Sequence, residues 1–215
     1  MPTRRRSAPW HCGTCIPCAK STTPVSSRTY INSPGRSMAQ GLKILAVVGN
    51  PKVASRTLDV AMEITRQIAA WLDTAGQATE IDAIDIAEMS AGLLDWPSAP
   101  VNAALERMKS ADLLIVASPV YKASYTGLLK VFLDRVPMEG LGGLPAVPVM
   151  VAAAPGHGLA VDAYLRPLLV EIGASCPTRA VFMLESQLPE AEARVAKWLE
   201  GAKPVLARAL GVAVN

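Results

Sequence analysis

The 215-residue chain has few aromatic residues, few charged residues and no long uncharged apolar run. Aromatic residues make up 5% of the sequence and charged residues 18%, whereas hydrophobic residues make up 51%. This high apolar content excludes a disordered acidic or basic protein. The lack of an apolar run of about 18 residues excludes a transmembrane helix. The net charge is only +3, and its distribution along the chain is uneven.

Acidic residues are absent from the first 37 residues, which contain six Lys or Arg, eleven Ser or Thr and three of the four cysteines. The remaining 178 residues therefore carry a net charge of −3, which argues against a nucleic-acid partner. A domain of that size buries roughly 70% of its unfolded surface and needs neither a disulfide nor a metal ion to fold. Its single cysteine, Cys176, suits a reducing cytoplasm.

Residues 1–37 have almost no apolar periodicity, so we expect them to be disordered. Three interpretations remain open. One is a targeting peptide, since the segment is rich in Arg and Ser, although it lacks an apolar region and prolines interrupt any amphipathic helix. Another is that translation begins at Met38, which the sequence favours and which makes residues 38–215 the domain. The third is a metal or cluster site formed by His11, Cys12, Cys15 and Cys18, but a ferredoxin-type run needs a further cysteine where Thr22 stands.

The body of the chain alternates between apolar strands and amphipathic helices. Leu42–Val48 is typical of a strand buried on both faces. A helix follows from Thr57 to about Thr74, and its apolar residues Leu58, Ala61, Met62, Ile68 and Leu72 share one face. The other predicted strands are Thr79–Ile86, Asp112–Ala117, Val147–Ala153 and Thr178–Leu184. The other predicted helices are Val101–Ser110, Thr126–Arg135, Leu159–Ile172 and Glu190–Leu210. Gly173 directly follows the helix that ends at Ile172 and suits its left-handed C-terminal cap.

This alternation predicts an α/β fold, in which a parallel sheet carries helices on both faces. Five strands in 178 residues suit a flavodoxin-like, doubly wound sheet with strand order 2-1-3-4-5. Sheets of this kind bind ligands beyond the carboxyl ends of their strands, near the first and third strands. The loops after Val48 and after Ala117 are therefore the candidate binding loops.

The loop after the first strand runs from Gly49 to Thr57 and combines hydroxyls, cations and the N–H groups that open a helix. It is neither a G-x-G-x-x-G loop nor a P-loop, so it does not predict a pyrophosphate cradle. Hydroxyl and cationic side chains together suit one terminal phosphate. The alternative is an ordinary capped turn. The side chains concerned are Lys52, Ser55, Arg56 and Thr57.

The loop after the third strand contains a proline, an apolar residue and a tyrosine in succession, Pro119, Val120 and Tyr121. Such a run can lay a flat backbone and a ring edge against a planar heterocycle. Its backbone N–H groups can bind the pyrimidine edge of a flavin. The alternative is a hydrophobic turn with Tyr121 and Tyr125 half-buried.

Three motifs, in the right order, resemble the NADPH-dependent FMN reductase family and particularly its alkanesulfonate-utilisation members. SPVYKASYTGLLKVFLDRVP is similar to the flavin loop and following helix of that family. GNPKVASRTL resembles its phosphate loop, G-S-P-x-x-x-S-R-[ST], with Asn50 in place of Ser and Lys52 in place of Arg. HGLAVDAYLRP resembles its H-L-L-A-[LVI]-D-Y-A-L-[KR]-P segment. The resemblance covers about residues 42–184.

The resemblance implies a flavodoxin-like enzyme that reduces FMN with NADPH or NADH and passes reduced flavin to a monooxygenase. It also implies a homodimer or homotetramer. No catalytic side chain or metal ligand is expected, because hydride moves directly from nicotinamide C4 to flavin N5 while the protein supplies stacking and orientation. By position, the FMN phosphate would be held by Asn50, Lys52, Ser55, Arg56 and Thr57. The isoalloxazine would be lined by Pro119, Val120, Tyr121 and Lys122.

The sequence departs from the family pattern after the fourth and before the fifth strand. Ala and Pro replace the usual Thr-Gly-Gly turn, and His157 is interpreted as a helix-entry residue at a subunit contact rather than a proton donor. Ala163 stands where alkanesulfonate-type members carry an extra Tyr, and Tyr164 follows it. Because Pro167 has no N–H to give to the carbonyl of Ala163, we predict a kink or bulge near residues 162–167.

Other functions remain open at this point. An FMN-bound quinone or azo-compound reductase would have the same architecture. A flavodoxin-like electron carrier would bind FMN without a hydride-donor site, but Lys52, Arg56 and the longer loop around Lys122–Ser124 argue against it. Two candidate loops in register argue against a flavin-free interaction domain.

Overall fold

The computed structural model describes residues 41–213. The cysteine-rich motif, the expected disorder of residues 1–37 and the expected domain start at Met38 lie outside the described residues. No helix in the described range is long and apolar enough to cross a membrane.

Five parallel strands form one sheet in the order β2-β1-β3-β4-β5, so the predicted fold class and strand order are confirmed. β1, β3 and β4 are buried along most of their length because helices cover both faces of the sheet. The strands are β1 (Leu42–Val48), β2 (Thr79–Asp85), β3 (Leu113–Pro119), β4 (Ala146–Ala152) and β5 (Val181–Leu184).

The helices divide into two groups, each packed on one face through its own apolar cluster. One cluster joins the sheet to the first and last helices, and the other joins it to the three helices between them. Leu58 and Met62 lie half-buried at the border of the first cluster. The helices are α1 (Arg56–Thr74), α2 (Ala99–Lys109), α3 (Gly127–Leu133), α4 (Arg166–Glu171) and α5 (Ala191–Leu210).

Every strand except β1 differs from its predicted bounds, β3 and β4 by only one or two residues at each end. β2 ends at Asp85 rather than Ile86, because the Asp85 side chain accepts the N–H of Ala87 and starts a 3₁₀ turn. β5 begins at Val181 rather than Thr178. Just before β5, side chains rather than β4 bind the backbone carbonyl groups. The carbonyl of Thr178 accepts a hydrogen bond from Arg166, and the carbonyl of Arg179 accepts one from Trp198.

The single helix predicted over 159–172 is interrupted by a π-helical turn, Val161–Leu165, which precedes α4. The N–H of Arg166 reaches back five residues to the carbonyl of Val161, and Pro167 has no N–H to donate. The predicted bulge near 162–167 is therefore confirmed. Gly173 has φ 91°, as expected for a left-handed cap. A Cβ there would lie 2.6 Å from the Cα of Glu139, so this position also needs glycine for space.

Candidate functional site

The two candidate binding loops meet at the carboxyl edge of the sheet. In the parallel register, Val48 at the end of β1 pairs with Asp85 of β2 on one side and with Ala117 of β3 on the other. The loop after β1 therefore lies between the ends of β2 and β3. The strand order predicted this position, because the carboxyl ends of parallel strands share one edge.

The loop after β1 is built on its own hydrogen bonds. Asn50 Nδ2 donates to Thr57 Oγ1 over 3.0 Å, and Asn50 Oδ1 accepts the N–H of Lys52 over 2.9 Å. Ser55 is the N-cap of α1, since its Oγ accepts the N–H of Leu58. The capped turn considered as an alternative is thus present. It leaves the hydroxyl protons of Ser55 and Thr57 free to donate to an anion.

The start of α1 also offers unpaired backbone donors. Within residues 41–213, no acceptor takes the N–H groups of Arg56 and Thr57. α1 is 19 residues long, and the amino end of a helix attracts negative charge through such groups and through the aligned peptide dipoles. Lys52, in the same loop, has an exposed cationic side chain. This set of donors fits a compact dianion such as a terminal phosphate.

Asp85 fixes this loop from the neighbouring strand, and sequence reasoning missed it. Its carboxylate is 6% exposed, and Oδ2 accepts the N–H of Ala54 over 3.0 Å. Ala54 has φ 50°, a conformation that costs a non-glycine residue of order 1 kcal/mol. The carboxylate therefore holds a strained turn in place. The available signal was an acidic residue at the carboxyl end of a predicted strand next to β1.

Arg56 does not lie over the loop. Its guanidinium pairs with Glu185, the first residue after β5, with 3.1 Å between Nη2 and Oε1. Both side chains are largely exposed, at 64% and 42%. The sequence predicted that the Arg56 side chain binds the phosphate or faces solvent, and it did not predict the ion pair with Glu185.

The loop after β3 is pinned at its base and turns sharply at its tip. The N–H of Val120 donates to the carbonyl of Val151 in β4, and Tyr121 and Ser124 exchange two backbone hydrogen bonds. The two residues between them, Lys122 and Ala123, have φ 49° and 65°. Positive φ at both central positions is typical of a type I′ turn.

This turn presents its tip outward at the open edge of the sheet. Within residues 41–213, no acceptor takes the N–H groups of Lys122 and Ala123. Tyr121 is 53% exposed, whereas Pro119, Val120 and Tyr125 are half-buried. The loop thus combines backbone N–H groups without an acceptor, a flat backbone at Pro119 and Val120, and the exposed ring of Tyr121. These features suit the binding of a planar heterocycle.

Thr126 joins the two loops, and it too was missed as a site residue. Its Oγ1 donates to the carbonyl of Gly49 and accepts the N–H of Leu129 over 3.1 Å. Its own N–H donates to Ser118 Oγ over 3.0 Å. A Cβ on Gly49 would lie 2.3 Å from the Cβ of Leu129, so only glycine lets α3 approach this closely. The signal was a threonine at the very start of the predicted helix, where threonine favours the N-cap position.

The loop after β4 lies at the same edge. Ala153, Ala154, Pro155 and Gly156 are exposed, and His157 is half-buried. In the part of the chain that the structure describes, no group of three or more His, Cys, Asp or Glu side chains is arranged to hold a metal ion.

The family model that matches this chain is described as NADPH-dependent FMN reductase, and the match runs from residue 42 to residue 188. This range includes both binding loops and the π-helical turn. The chain belongs to the NADPH-dependent FMN reductase family.

Similar proteins include flavin reductases that use either nicotinamide cofactor. The FMN reductase (NADPH) of Pseudomonas aeruginosa is 38% identical over 136 residues, which is 61% of this chain and 70% of the relative. The NADH-dependent FMN reductase SfnF of Pseudomonas putida is 33% identical over 132 residues, which is 59% of this chain and 69% of the relative. The apo crystal structure of the NADH:FMN oxidoreductase EmoB superposes with a TM-score of 0.68 at 33% identity, covering 81% of this chain and 91% of that one.

The matched range contains both predicted loops, which the structure brings together at one edge of the sheet. All nine predicted site residues lie in or next to the two loops that meet at the carboxyl edge of the sheet. The side chain of Arg56 pairs with Glu185. The assignment of individual residues to phosphate or ring stays a prediction.

Proposed function

We propose that this protein catalyses the reduction of FMN by NADPH or NADH. The observation that carries the proposal is the hydrogen-bonded junction at Thr126, which couples a loop suited to a phosphate to a loop suited to a planar ring. Family membership supports the same activity.

In this proposal the loop after β1 holds the phosphate. The N–H groups of Arg56 and Thr57 and the hydroxyls of Ser55 and Thr57 donate to its oxygens, while Lys52 balances its charge. Asn50 acts through Thr57, since it bonds the threonine hydroxyl and orders the turn. Arg56 contributes its side chain only when it leaves Glu185.

The loop after β3 would orient the ring. Pro119, Val120 and Tyr121 would line one side of it, and the backbone N–H groups of Lys122 and Ala123, which have no acceptor within residues 41–213, would donate to its polar edge. FMN, when bound, supplies the centre that accepts hydride from the nicotinamide. The protein aligns the two reactants and needs no acid–base side chain for that transfer.

We further propose that reduced flavin passes to a separate monooxygenase and that the enzyme works in the cytoplasm as a homodimer or homotetramer. The similarity to SfnF and to the other FMN reductases supports the flavin-reducing role. Large exposed apolar side chains near the π-helical turn, Leu159, Tyr164 and Val170, support self-association.

The test is NADPH and NADH oxidation in air, with and without added FMN, and then with a quinone. We expect oxidation that saturates with free FMN. Lys52→Ala should raise the FMN concentration needed for half-saturation about two- to fivefold, as for loss of one solvent-exposed ion pair. The matched control Lys109→Ala, on the far end of α2, should not.

The other outcomes identify the alternatives. Oxidation that needs a quinone and a retained flavin would indicate a quinone or azo-compound reductase. FMN binding without any oxidation would indicate an electron carrier, and no flavin binding at all would exclude every flavin-dependent function.

A further inference from the structure

We infer that Glu185 is a positioning residue that holds the Arg56 side chain away from the flavin phosphate and so weakens FMN binding. The inference rests on the proposed function, because it concerns the same phosphate loop. It assigns a role to a residue outside both binding loops.

The geometry places the two residues at the same edge of the sheet but directs Arg56 away from its own loop. Arg56 is the first residue of α1, and Glu185 directly follows β5, which is three strands from β1 in the sheet order. The Nη2 to Oε1 distance is 3.1 Å. Arg56 also lines a groove of about 330 Å³ between α1 and the segment before α5. Its side chain therefore extends toward β5, opposite to the side where Asp85 holds Ala54.

Two electrostatic effects of Glu185 oppose a phosphate at the start of α1. Glu185 engages one end of the guanidinium, so Arg56 must give up this partner before it can offer both of its terminal nitrogens to a phosphate oxygen. The carboxylate also adds negative charge near a site for a dianion. Both effects have the same sign, so removing the charge of Glu185 should strengthen FMN binding.

Asp85 provides the contrast. Both carboxylates contact the loop after β1 or its first helical residue. Asp85 is buried and accepts two backbone N–H groups, those of Ala54 and Ala87, whereas Glu185 is exposed and pairs with the exposed side chain of Arg56. Asp85 builds the loop that binds the anion. Glu185 competes with the flavin phosphate for the Arg56 side chain.

This competition suits an enzyme that releases its flavin. A flavin phosphate held by every available donor would dissociate slowly. Because Arg56 is shared with Glu185, the complex with FMN should have a shorter lifetime. Because an exposed ion pair contributes little, the effect should be moderate: we expect about a two- to fivefold change in the FMN dissociation constant, mainly in the dissociation rate.

The experiment measures FMN and riboflavin binding to the full chain by flavin fluorescence, in equilibrium titrations and in stopped-flow dissociation. The variants are Glu185→Gln, Glu185→Asp, Arg56→Ala and the double variant Arg56→Ala/Glu185→Gln. Glu190→Gln is the matched control, since Glu190 is an exposed glutamate of the same segment that pairs with Arg194. Circular dichroism verifies that each variant is folded.

We expect Glu185→Gln to bind FMN two- to fivefold more tightly and riboflavin unchanged, because riboflavin has no phosphate. Glu185→Asp, which keeps the charge, should remain near wild type, and Glu190→Gln should match it. In the Arg56→Ala background, Glu185→Gln should have a clearly smaller effect, because only the direct repulsion between the carboxylate and the phosphate remains.

Three results would overturn the inference while leaving the proposed function intact: unchanged or weaker FMN binding by Glu185→Gln, equal tightening for riboflavin, or equal tightening in the Arg56→Ala background. A wild-type chain that binds no FMN would overturn both the inference and the proposed function.

Discussion

Asp85 is a single buried carboxylate at the end of β2 that shapes a loop belonging to β1. Replacing it with asparagine keeps its size but turns one acceptor oxygen into a donor, so either Ala54 or Ala87 loses its partner. A buried N–H left unpaired costs about 1–3 kcal/mol. Ala87 is buried but Ala54 is exposed, and asparagine can keep its oxygen on Ala87, so we expect Asp85→Asn to lower the free energy of unfolding by about 1 kcal/mol in urea denaturation without flavin.

The control for this variant is Asp95→Asn, which changes an exposed aspartate on a loop. It should stay within about 0.5 kcal/mol of wild type. Equal stability of both variants would contradict the role of Asp85.

Cys176 lies half-buried between α4 and β5, and this burial raises the pKa of its thiol, although the nearby Arg166 guanidinium partly opposes the shift. The thiolate is the reactive form, so the native thiol should be alkylated by iodoacetamide more slowly than the unfolded one at pH 8. The difference should shrink as the pH rises above the usual thiol pKa. Peptide mass spectrometry separates Cys176 from the other cysteines, and equal rates in native and urea-unfolded protein would refute the shift.

The raised pKa also has a consequence for stability. Because the folded state disfavours the thiolate, the contribution of Cys176 to stability is fully present below the unfolded thiol pKa and is lost as the pH rises through the folded pKa.

Among the structural elements, the π-helical turn and α4 depend on one arginine. Arg166 donates to Asp162 across the turn over 2.8 Å and to the carbonyls of Cys176 and Thr178 in the segment before β5. Arg166→Ala leaves these acceptors without their donor, so we expect the free energy of unfolding to fall by about 1–3 kcal/mol. Urea denaturation measures this loss.

Arg166→Lys tests the geometry of this clamp. Lysine keeps the charge but cannot direct planar donors to three acceptors at once, so it should recover less than half of the loss. Full recovery would mean that only the charge of Arg166 matters. The control is Arg194→Lys on α5, whose exposed arginine pairs with Glu190 just before that helix, and it should be near neutral.

At the scale of the whole molecule, a ligand that binds only the folded chain must stabilise it. At 100 times its dissociation constant, FMN should raise the free energy of unfolding by about 2.7 kcal/mol. Riboflavin at the same concentration should stabilise the chain less, because it offers no phosphate to the start of α1. Thermal and urea unfolding check this, and equal stabilisation by both flavins would contradict a phosphate site after β1.

The fold was predictable because it follows from local patterns. Apolar runs such as Leu42–Val48 and the periodic face of α1 identify strands and helices, and parallel strands with short connections permit few topologies. Even the bulge before α4 was predictable, since Pro167 lacks the N–H that a regular helix requires. The start of β5 was not, because Arg166 and Trp198, distant in sequence, bind the backbone that a strand would otherwise use.

The candidate site was predictable in outline but not in its supporting contacts. The sequence alone determined which loops carry phosphate-type and ring-type residues, because strand order places their ends together. Only the tertiary structure decided that Asp85 holds the loop after β1, that Thr126 joins the two loops and that Glu185 pairs with Arg56. These contacts join residues 31, 77 and 129 positions apart. Local pattern carries no information about such pairs, since they form only when the sheet brings distant strand ends to one edge.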